Sequence, residues 1–486
     1  MDITYRPYYD PEIEFLLEDI NPPRVCIDND TYPDCTLVKV DSANKHGKLL
    51  EMVQVLTDLD LVISKSYINS DGGWLMDVFH VTDQLGNKIT DESLIQYIQE
   101  GICANRRASK DDRPRNGQQF RPRHVLTEQT ALEMTGVDRP GLMSEISAVL
   151  TELGCHITSA VAWTHNKRVA CIIYVDDSSK HGPITDLCRI AQIQAQLENV
   201  VEAHHYNDEK RSVKLAGPAP GRTHTERRLH QLMAADKDYL ECCSCCGGTN
   251  EDDDIYGYAR CNKVQRKGCD GTHVRMEYSR ETGYSIINVR SRDRPKLLFD
   301  TVCTLTDLQY VVFHAAISSK GSLAYQEYYV KHKDGCASVS DGEKQKVTQC
   351  LIAATERRIS HGLRMDVSTR NRTGLLSDVT RVFRENGLSI TRAEIGSRGE
   401  KAFGTFYVKD TSGQNVSEET LEILRQEIGG TIVVESKCIG TSPEATPSRT
   451  SSNSSSIREE RSSFSLGNLF WTQLERLSSN FKPIKS

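Results

Sequence analysis

Four short turns, each joining an apolar strand-like run to an apolar helix-like run, recur along this chain and constrain its fold more than any other feature. The first follows Thr36-Leu37-Val38-Lys39-Val40-Asp41 and reads Lys45-His46-Gly47-Lys48-Leu49-Leu50, ahead of a helical pattern at Met52, Val53, Val55 and Leu56. The second is Asp138-Arg139-Pro140-Gly141-Leu142, followed by Ile146, Val149 and Leu150. The third is Asp293-Arg294-Pro295-Lys296-Leu297-Leu298, with Val302 and Leu305 behind it, and the fourth is Asn371-Arg372-Thr373-Gly374-Leu375-Leu376, with Val379, Val382 and Phe383. An aromatic residue follows each turn at nearly constant distance: Phe79, Tyr174, Tyr329 and Tyr407 stand 32, 33, 33 and 33 residues beyond positions 47, 141, 296 and 374. Four such coincidences define a repeat, and the runs between the anchors alternate as half-buried strands do. One unit reads β-α-β-β-α-β, so the fold class is α+β, built from four ferredoxin-like modules.

The ends of the units differ in a regular way. After the second helices of modules one and three, at about Asp91 to Cys103 and Asp341 to Ile359, no closing strand is found. An extra strand-like run precedes each of those modules instead, Arg24-Val25-Cys26-Ile27 and His273-Val274-Arg275-Met276, with Val25 and Val274 both 22 residues ahead of the turn. Modules two and four are expected to close on Asn199 to Ala203 and on Thr431 to Glu435. The chain therefore reads as two tandem pairs of modules, at 24–104, 124–206, 273–361 and 362–438, with a basic linker at 105–123 and an inter-pair linker at 207–272. The Ser-rich tail at 439–486 is expected to be disordered, with a short amphipathic helix at Leu466, Leu469, Phe470, Leu474, Leu477 and Phe481.

A chain of 486 residues is long enough for several cores. Its net charge of −7 provides no global field for nucleic acid, and no nucleic-acid partner is expected. No run of 18 apolar residues suggests a transmembrane segment, and Met1-Asp2-Ile3-Thr4-Tyr5 lacks the order of a secretory signal. The expected location is cytoplasmic, with the nucleus open. Sixteen cysteines without the spacing of a small disulfide scaffold fit a reducing compartment.

The turn Asp138-Arg139-Pro140-Gly141-Leu142 resembles that of ACT domains. The stretch from Asp293 through Cys303, and Ser70-Asp71-Gly72-Gly73-Trp74, resemble the plant ACT domain repeat family, whose members carry four such modules and little else; the likeness covers about Tyr8 to Cys438. What it implies is a regulatory protein that binds free amino acids, with no catalysis and no cofactor. The modules are also similar to the C-terminal pair of bacterial PII uridylyltransferases, which sense glutamine. The catalytic lobes of those enzymes are not expected here: the chain has no His-Asp dipeptide, and Gly72-Gly73 is followed by Trp74-Leu75-Met76-Asp77 with no second nearby acid.

A turn between strand and helix exposes unpaired backbone N–H groups and the positive end of the helix dipole, which suits a carboxylate. Asp41, Asp138, Asp293 and Asn371 are candidate acceptors for an α-ammonium. Gly47, Gly141 and Gly374 allow close backbone approach, Pro140 presets φ, and Arg139, Arg294, Arg372, Leu142 and Leu375 complete the candidate set. A good helix start alone would account for any one of these turns. Modules two and four keep most of the pattern and are the preferred sites; Lys296 in module three and His46 in module one mark structural partners. By the resemblance, residues His156 to Ala162 and Ser389 to Ile395 line the opposite walls. The rival function is an interaction scaffold that self-associates or holds a protein partner through its modules.

No metal is expected. The weak candidates are Cys242, Cys245, Cys261 and Cys269, whose irregular spacing fits an unliganded linker as well as zinc. Arg222 to Met233 reads as a helix docking one pair on the other, and Arg106 to Arg123 as a solvated basic loop.

Overall fold

The computed structural model describes residues 23–71, 73–103, 129–180, 182–202, 211–217, 223–241, 271–335, 340–359, 362–412 and 416–435. The basic loop, the four candidate cysteines and the tail helix lie outside the described residues.

Module one runs β1 (Arg24–Asp28), β2 (Thr36–Ala43), α1 (Lys48–Asp58), β3 (Val62–Asp71), β4 (Trp74–Thr82) and α2 (Glu92–Cys103). Module two is β5 (Thr130–Val137), α3 (Leu142–Glu152), β6 (Cys155–His165), β7 (Arg168–Asp177), α4 (Leu187–Glu202) and β8 (Ser212–Ala216). The linker forms α5 (Thr225–Ala235). Module three is β9 (His273–Ser279), β10 (Tyr284–Arg292), α6 (Leu297–Asp307), β11 (Tyr310–Lys320), β12 (Leu323–His332) and α7 (Asp341–Arg357). Module four is β13 (Leu363–Arg370), α8 (Leu375–Glu385), β14 (Leu388–Arg398), β15 (Lys401–Asp410), α9 (Glu418–Ile428) and β16 (Thr431–Glu435).

In every module the edge strand lies antiparallel to the strand that leads into the turn. Modules one and three take it from upstream, as β1 on β2 and β9 on β10, while two and four take it from downstream, as β8 on β5 and β16 on β13. The open side of that first strand needs a hydrogen-bonding partner, and either end of the chain can supply one. Module two closes later than its sequence suggests. Asn199 to Glu202 are helical, and the strand is Ser212–Ala216, beyond residue 206. Ile193, Leu197 and Val201 are buried at helical spacing, so the Val200-Val201 pair belongs to an amphipathic helix rather than to a strand.

The tandem pairs along the sequence are not the pairs that share a sheet. One eight-stranded sheet has the order β1-β2-β4-β3-β11-β12-β10-β9 and joins modules one and three; the other, β16-β13-β15-β14-β6-β7-β5-β8, joins modules two and four. The joins are antiparallel, with Ile68 opposite Ala315 and Ala162 opposite Ala393. Each sheet buries one face under four helices: α1, α2, α6 and α7 on the first, α3, α4, α8 and α9 on the second. The back of the second sheet is covered as well. Trp163, Ala131, Ala170, Ile172 and Tyr174 pack there against Leu229 and Met233 of α5.

Helix α5 ties the two sheets together; because those sheets join modules one with three and two with four, it bridges them and not the tandem pairs its sequence suggests. Arg228 pairs with Glu133 of module two, Arg227 with Asp307 of module three, and His224 with Asp58 of module one. Behind it lies a buried ionic cluster. Arg358 donates to Asp300 at 2.6 and 2.8 Å and to Glu226 at 3.2 Å, and its guanidinium lies 4.8 Å from the Trp163 ring centroid. Burial works against the ionised Asp300, but Arg358 and Arg294 hold its carboxyl well below the usual range.

The aromatic anchors separate on inspection. Phe79 stands 32 residues beyond its turn where the others stand 33, and in a strand that one residue reverses the face. Phe79 therefore points into the core, alongside Tyr328 and Phe406, while His80 is the register equivalent of Tyr174, Tyr329 and Tyr407.

Candidate functional site

All four turns have one geometry. The backbone N–H of Asn44, Asp138, Asp293 and Asn371 donates to the carbonyl of Gly73, Lys167, Ser322 and Glu400 in the neighbouring hairpin, at 2.7 to 2.8 Å. The residue three positions later is left-handed, with φ of 86°, 82°, 63° and 79° at Gly47, Gly141, Lys296 and Gly374. Glycine adopts that conformation freely, whereas at Lys296 it costs on the order of 1–3 kcal/mol. Lys296 is held by an ion pair of 2.8 Å to Glu226 of the linker helix.

This alignment moves one candidate. Asp41 is not the counterpart of Asp138; Asn44 is, because it stands three residues before Gly47 as the others do before their turn residue. Asp41 lies on the opposite face of the first sheet and accepts from Trp74 Nε1. The basic residue of each full turn is bound to its own helix: Arg139 pairs with Glu145, Arg294 with Asp300 and Arg372 with Asp378, six residues on each time. Asp293 and Pro140 are exposed.

Three of the turns also meet their sheet partner. A Cβ on Gly141 would lie 2.9 Å from Arg384 Cδ, and one on Gly374 would lie 3.2 Å from Thr151 Cγ2. His46 Nε2 is 3.0 Å from the carbonyl of Thr306. Thus the turn of one module faces the end of the first helix of the other.

Two clefts open at these junctions. The Gly374 cleft encloses about 540 Å³, its open mouth included, between Asn371, Arg372, Gly374 and Leu375 on one side and Ile157 and Thr158 of β6 on the other. The Gly141 cleft, about 420 Å³, lies between Asp138, Arg139, Gly141 and Leu142 and the β14 residues Leu388, Ile390, Thr391 and Arg392. Thr158 and Thr391 sit at equivalent bulges of β6 and β14, and the hydroxyl of each donates to the carbonyl of the strand beside it, at Tyr174 and Tyr407.

A single strand position grades the four turns. It lies 30 residues beyond each turn residue, opposite the first and second strands of its own module, and is occupied by Asp77, Cys171, Gln326 and Gly404. Gly404 leaves the floor of its cleft open. Gln326 fills the corresponding space in module three, where Thr301 donates to its Oε1 at 2.9 Å and Tyr328 also donates to it. Neither Gly404 nor Asn44 stands out from composition, but a fixed offset from the turn identifies both.

Asp138 is the acidic group of the Gly141 cleft, which Arg139, Arg384 and Arg392 also line. Burial pushes its carboxyl up to about 6, with Lys409 opposing. A carboxyl raised on folding binds an extra proton in the folded state between about pH 4 and 6, so the protein gains stability as pH falls through that window and carries the full penalty above it. Asp138→Asn is therefore expected to raise stability at pH 7–8 by about 2 kcal/mol and to confer no advantage below about pH 4. Thermal melts of both proteins across that range test this, and equal melts at pH 8 would refute it.

Comparison with known proteins places these features in one family. Residues 31–109 match the model described as the ACR family N-terminal ACT domain, and residues 364–429 match that of the ACT domain. The chain is 51% identical to the ACT domain-containing protein ACR1 of Arabidopsis thaliana, over 100% of both chains, and 44% identical to ACR2 of the same plant, over 99% of each. A shorter likeness, 38% over 81 residues, links 17% of this chain to 9% of a bifunctional uridylyltransferase/uridylyl-removing enzyme of Azospirillum brasilense. Four repeated modules of this geometry and full-length identity at this level lead to one conclusion: the chain belongs to the ACR family of ACT domain-containing proteins.

Proposed function

We propose that this protein is a non-catalytic regulator, cytoplasmic or nuclear, that binds free amino acids in the Gly141 and Gly374 clefts. The observation that carries the reading is that both clefts join a helix N-terminus in one module to the second strand of its sheet partner, so an occupant touches modules two and four together. A zwitterion matches the Gly141 cleft: Asp138 receives the ammonium, and Arg384 with the backbone N–H groups at the start of α3 receives the carboxylate. In the Gly374 cleft Asn371 takes the place of the acid, and Val367, Val379, Ile395 and Phe406 provide an apolar floor for a side chain. Module three, its space filled by Gln326 and Tyr328, serves as a structural partner.

A thermal-shift series of the full chain against the twenty amino acids tests this. A ligand that binds only the folded state adds about 2.7 kcal/mol at one hundred times its Kd, and the rise in midpoint should vanish in Asp138→Ala or Asn371→Ala. No shift with any amino acid at millimolar concentration would favour the scaffold, in which the modules hold each other or a protein partner and bind nothing small.

A further inference from the structure

Gly141 and Gly374 stand 233 residues apart, and the residues around their two clefts correspond at that same interval. The frame is shared: Thr391 matches Thr158, Ile390 matches Ile157, and Arg139 matches Arg372. The differences fall on charge. Asp138 corresponds to Asn371, and Arg384 lies against the Gly141 turn where Thr151 lies against Gly374. Lys409 of β15 is close enough to Asp138 to favour its ionised form, and its counterpart on β7 is Asp176. One turn thus has an acid facing two cations of the sister module, while the other has an amide, a hydroxyl and an acid in the same places.

The remaining charges of the Gly141 cleft are matched within the protein. Arg139 pairs with Glu145, and Arg392 with Glu394. Arg384 has Glu385 at 3.9 Å, but that carboxylate is held more closely by Arg381, at 3.0 Å. A neutral zwitterion would give its ammonium to Asp138 and its carboxylate to one cation, leaving the other cation unmatched. A ligand with one further carboxylate matches both.

The floors differ in the same sense. Cys171, which is 0% exposed, and Val169 stand where module four has Gly404 and Ala402, and the Gly141 cleft encloses about 420 Å³ against about 540 Å³. A ligand side chain has less room to descend between the strands and is directed along the rim, where Arg384 and Lys409 are exposed. Such a wet rim suits a charged group better than an apolar one.

We propose that the Gly141 cleft selects a dicarboxylic amino acid, glutamate or aspartate, with Asp138 as counter-ion of its ammonium and Arg384 and Lys409 balancing its two carboxylates, while the Gly374 cleft takes a neutral amino acid with an apolar side chain. This rests on reading the two clefts as amino-acid sites, and it makes the protein a reader of two different ligands through one pair of modules.

The test is calorimetric titration of the full chain with glutamate and with glutamine, which has the same shape without the second charge. The signal to compare is the part that Asp138→Ala removes. Glutamate should bind roughly fivefold more tightly than glutamine, as expected for a partly exposed ion pair, and the preference should shrink in half-molar salt. Arg384→Thr with Lys409→Asp gives module four the residues that stand at the matching positions of module two. Both side chains are exposed, so the variant should fold normally, and it should lose the preference for glutamate. Glutarate, which lacks the ammonium, should give no signal that depends on Asp138. Equal binding of glutamate and glutamine would overturn the proposal, as would a preference that survives the double substitution. Glutarate binding as tightly as glutamate would reduce the site to a general anion patch and overturn it too. If Asp138→Ala removes no amino-acid signal at all, the reading of the clefts fails and this proposal with it; if it removes a signal from neutral amino acids that shows no preference for glutamate, only this proposal fails.

Discussion

Arg358→Ala is expected to lower stability by about 3–5 kcal/mol and to split one unfolding transition into two. Arg358 is 6% exposed and bridges two acids from different elements, Asp300 of α6, which is 0% exposed, and Glu226 of α5, which is 4% exposed. Truncation leaves both carboxylates buried with less compensation, and removing one partner of a buried pair costs far more than the pair contributes in net terms. It also removes the guanidinium from the face of Trp163, a residue of the second sheet. The cluster reaches further, since Arg392 of β14 donates to the Arg358 carbonyl at 3.0 Å, and Arg357 donates to Asp238, which also meets His165 of β6. Calorimetry should therefore show the halves melting separately once Arg358 is gone. Arg358→Lys should recover less than half of the loss, because an ammonium cannot bind Asp300 bidentately while stacking on an indole. A single transition with less than about 1 kcal/mol lost would show that the apolar contacts of α5 alone join the sheets.

Gly404→Leu is expected to abolish ligand binding in the Gly374 cleft, at least a loss of about a hundredfold in affinity, or about 2.7 kcal/mol. A Cβ there would lie 2.6 Å from Phe406 Cε2, and that ring is 2% exposed and packs edge-on to Phe383 at 5.2 Å. The ring has little room to yield, so the new side chain must enter the cleft, with an overpacking cost of about 1–3 kcal/mol. Binding that depends on Asp138 should be unaffected, because the Gly141 cleft has Cys171 at the corresponding position. Calorimetric titration of the variant with the amino acid that best stabilises the native protein tests this, and unchanged affinity would move the ligand away from the Gly404 floor.

Much of this was legible along the chain. The turns, the first helices and the upstream edge strands follow from spacing, because glycine in a left-handed turn and apolar residues at helical period are local requirements. Asp41 has the chemistry of an ammonium acceptor, whereas Asn44, which shares the backbone bond of the other turns, is marked in the sequence only by its distance from Gly47. The pairing of Arg139, Arg294 and Arg372 with an acid six residues on was equally present in the sequence, and it assigns part of the motif to holding the helix start. Phe79 shows the opposite hazard, a spacing one residue short that inverts the face of a strand.

By itself the sequence determined four modules, their turns and the charged linker helix, since each depends on residues within a few positions of one another. Only the tertiary structure decided that module one shares its sheet with three and module two with four. The outer edges of β3, β6, β11 and β14 offer the same backbone donors and acceptors, which carry no address, and their partners lie more than two hundred residues apart. The choice among them is made by packing of helices and by the buried charges around α5, and it is this choice that places the turn of one module against the strand of another and so forms the clefts.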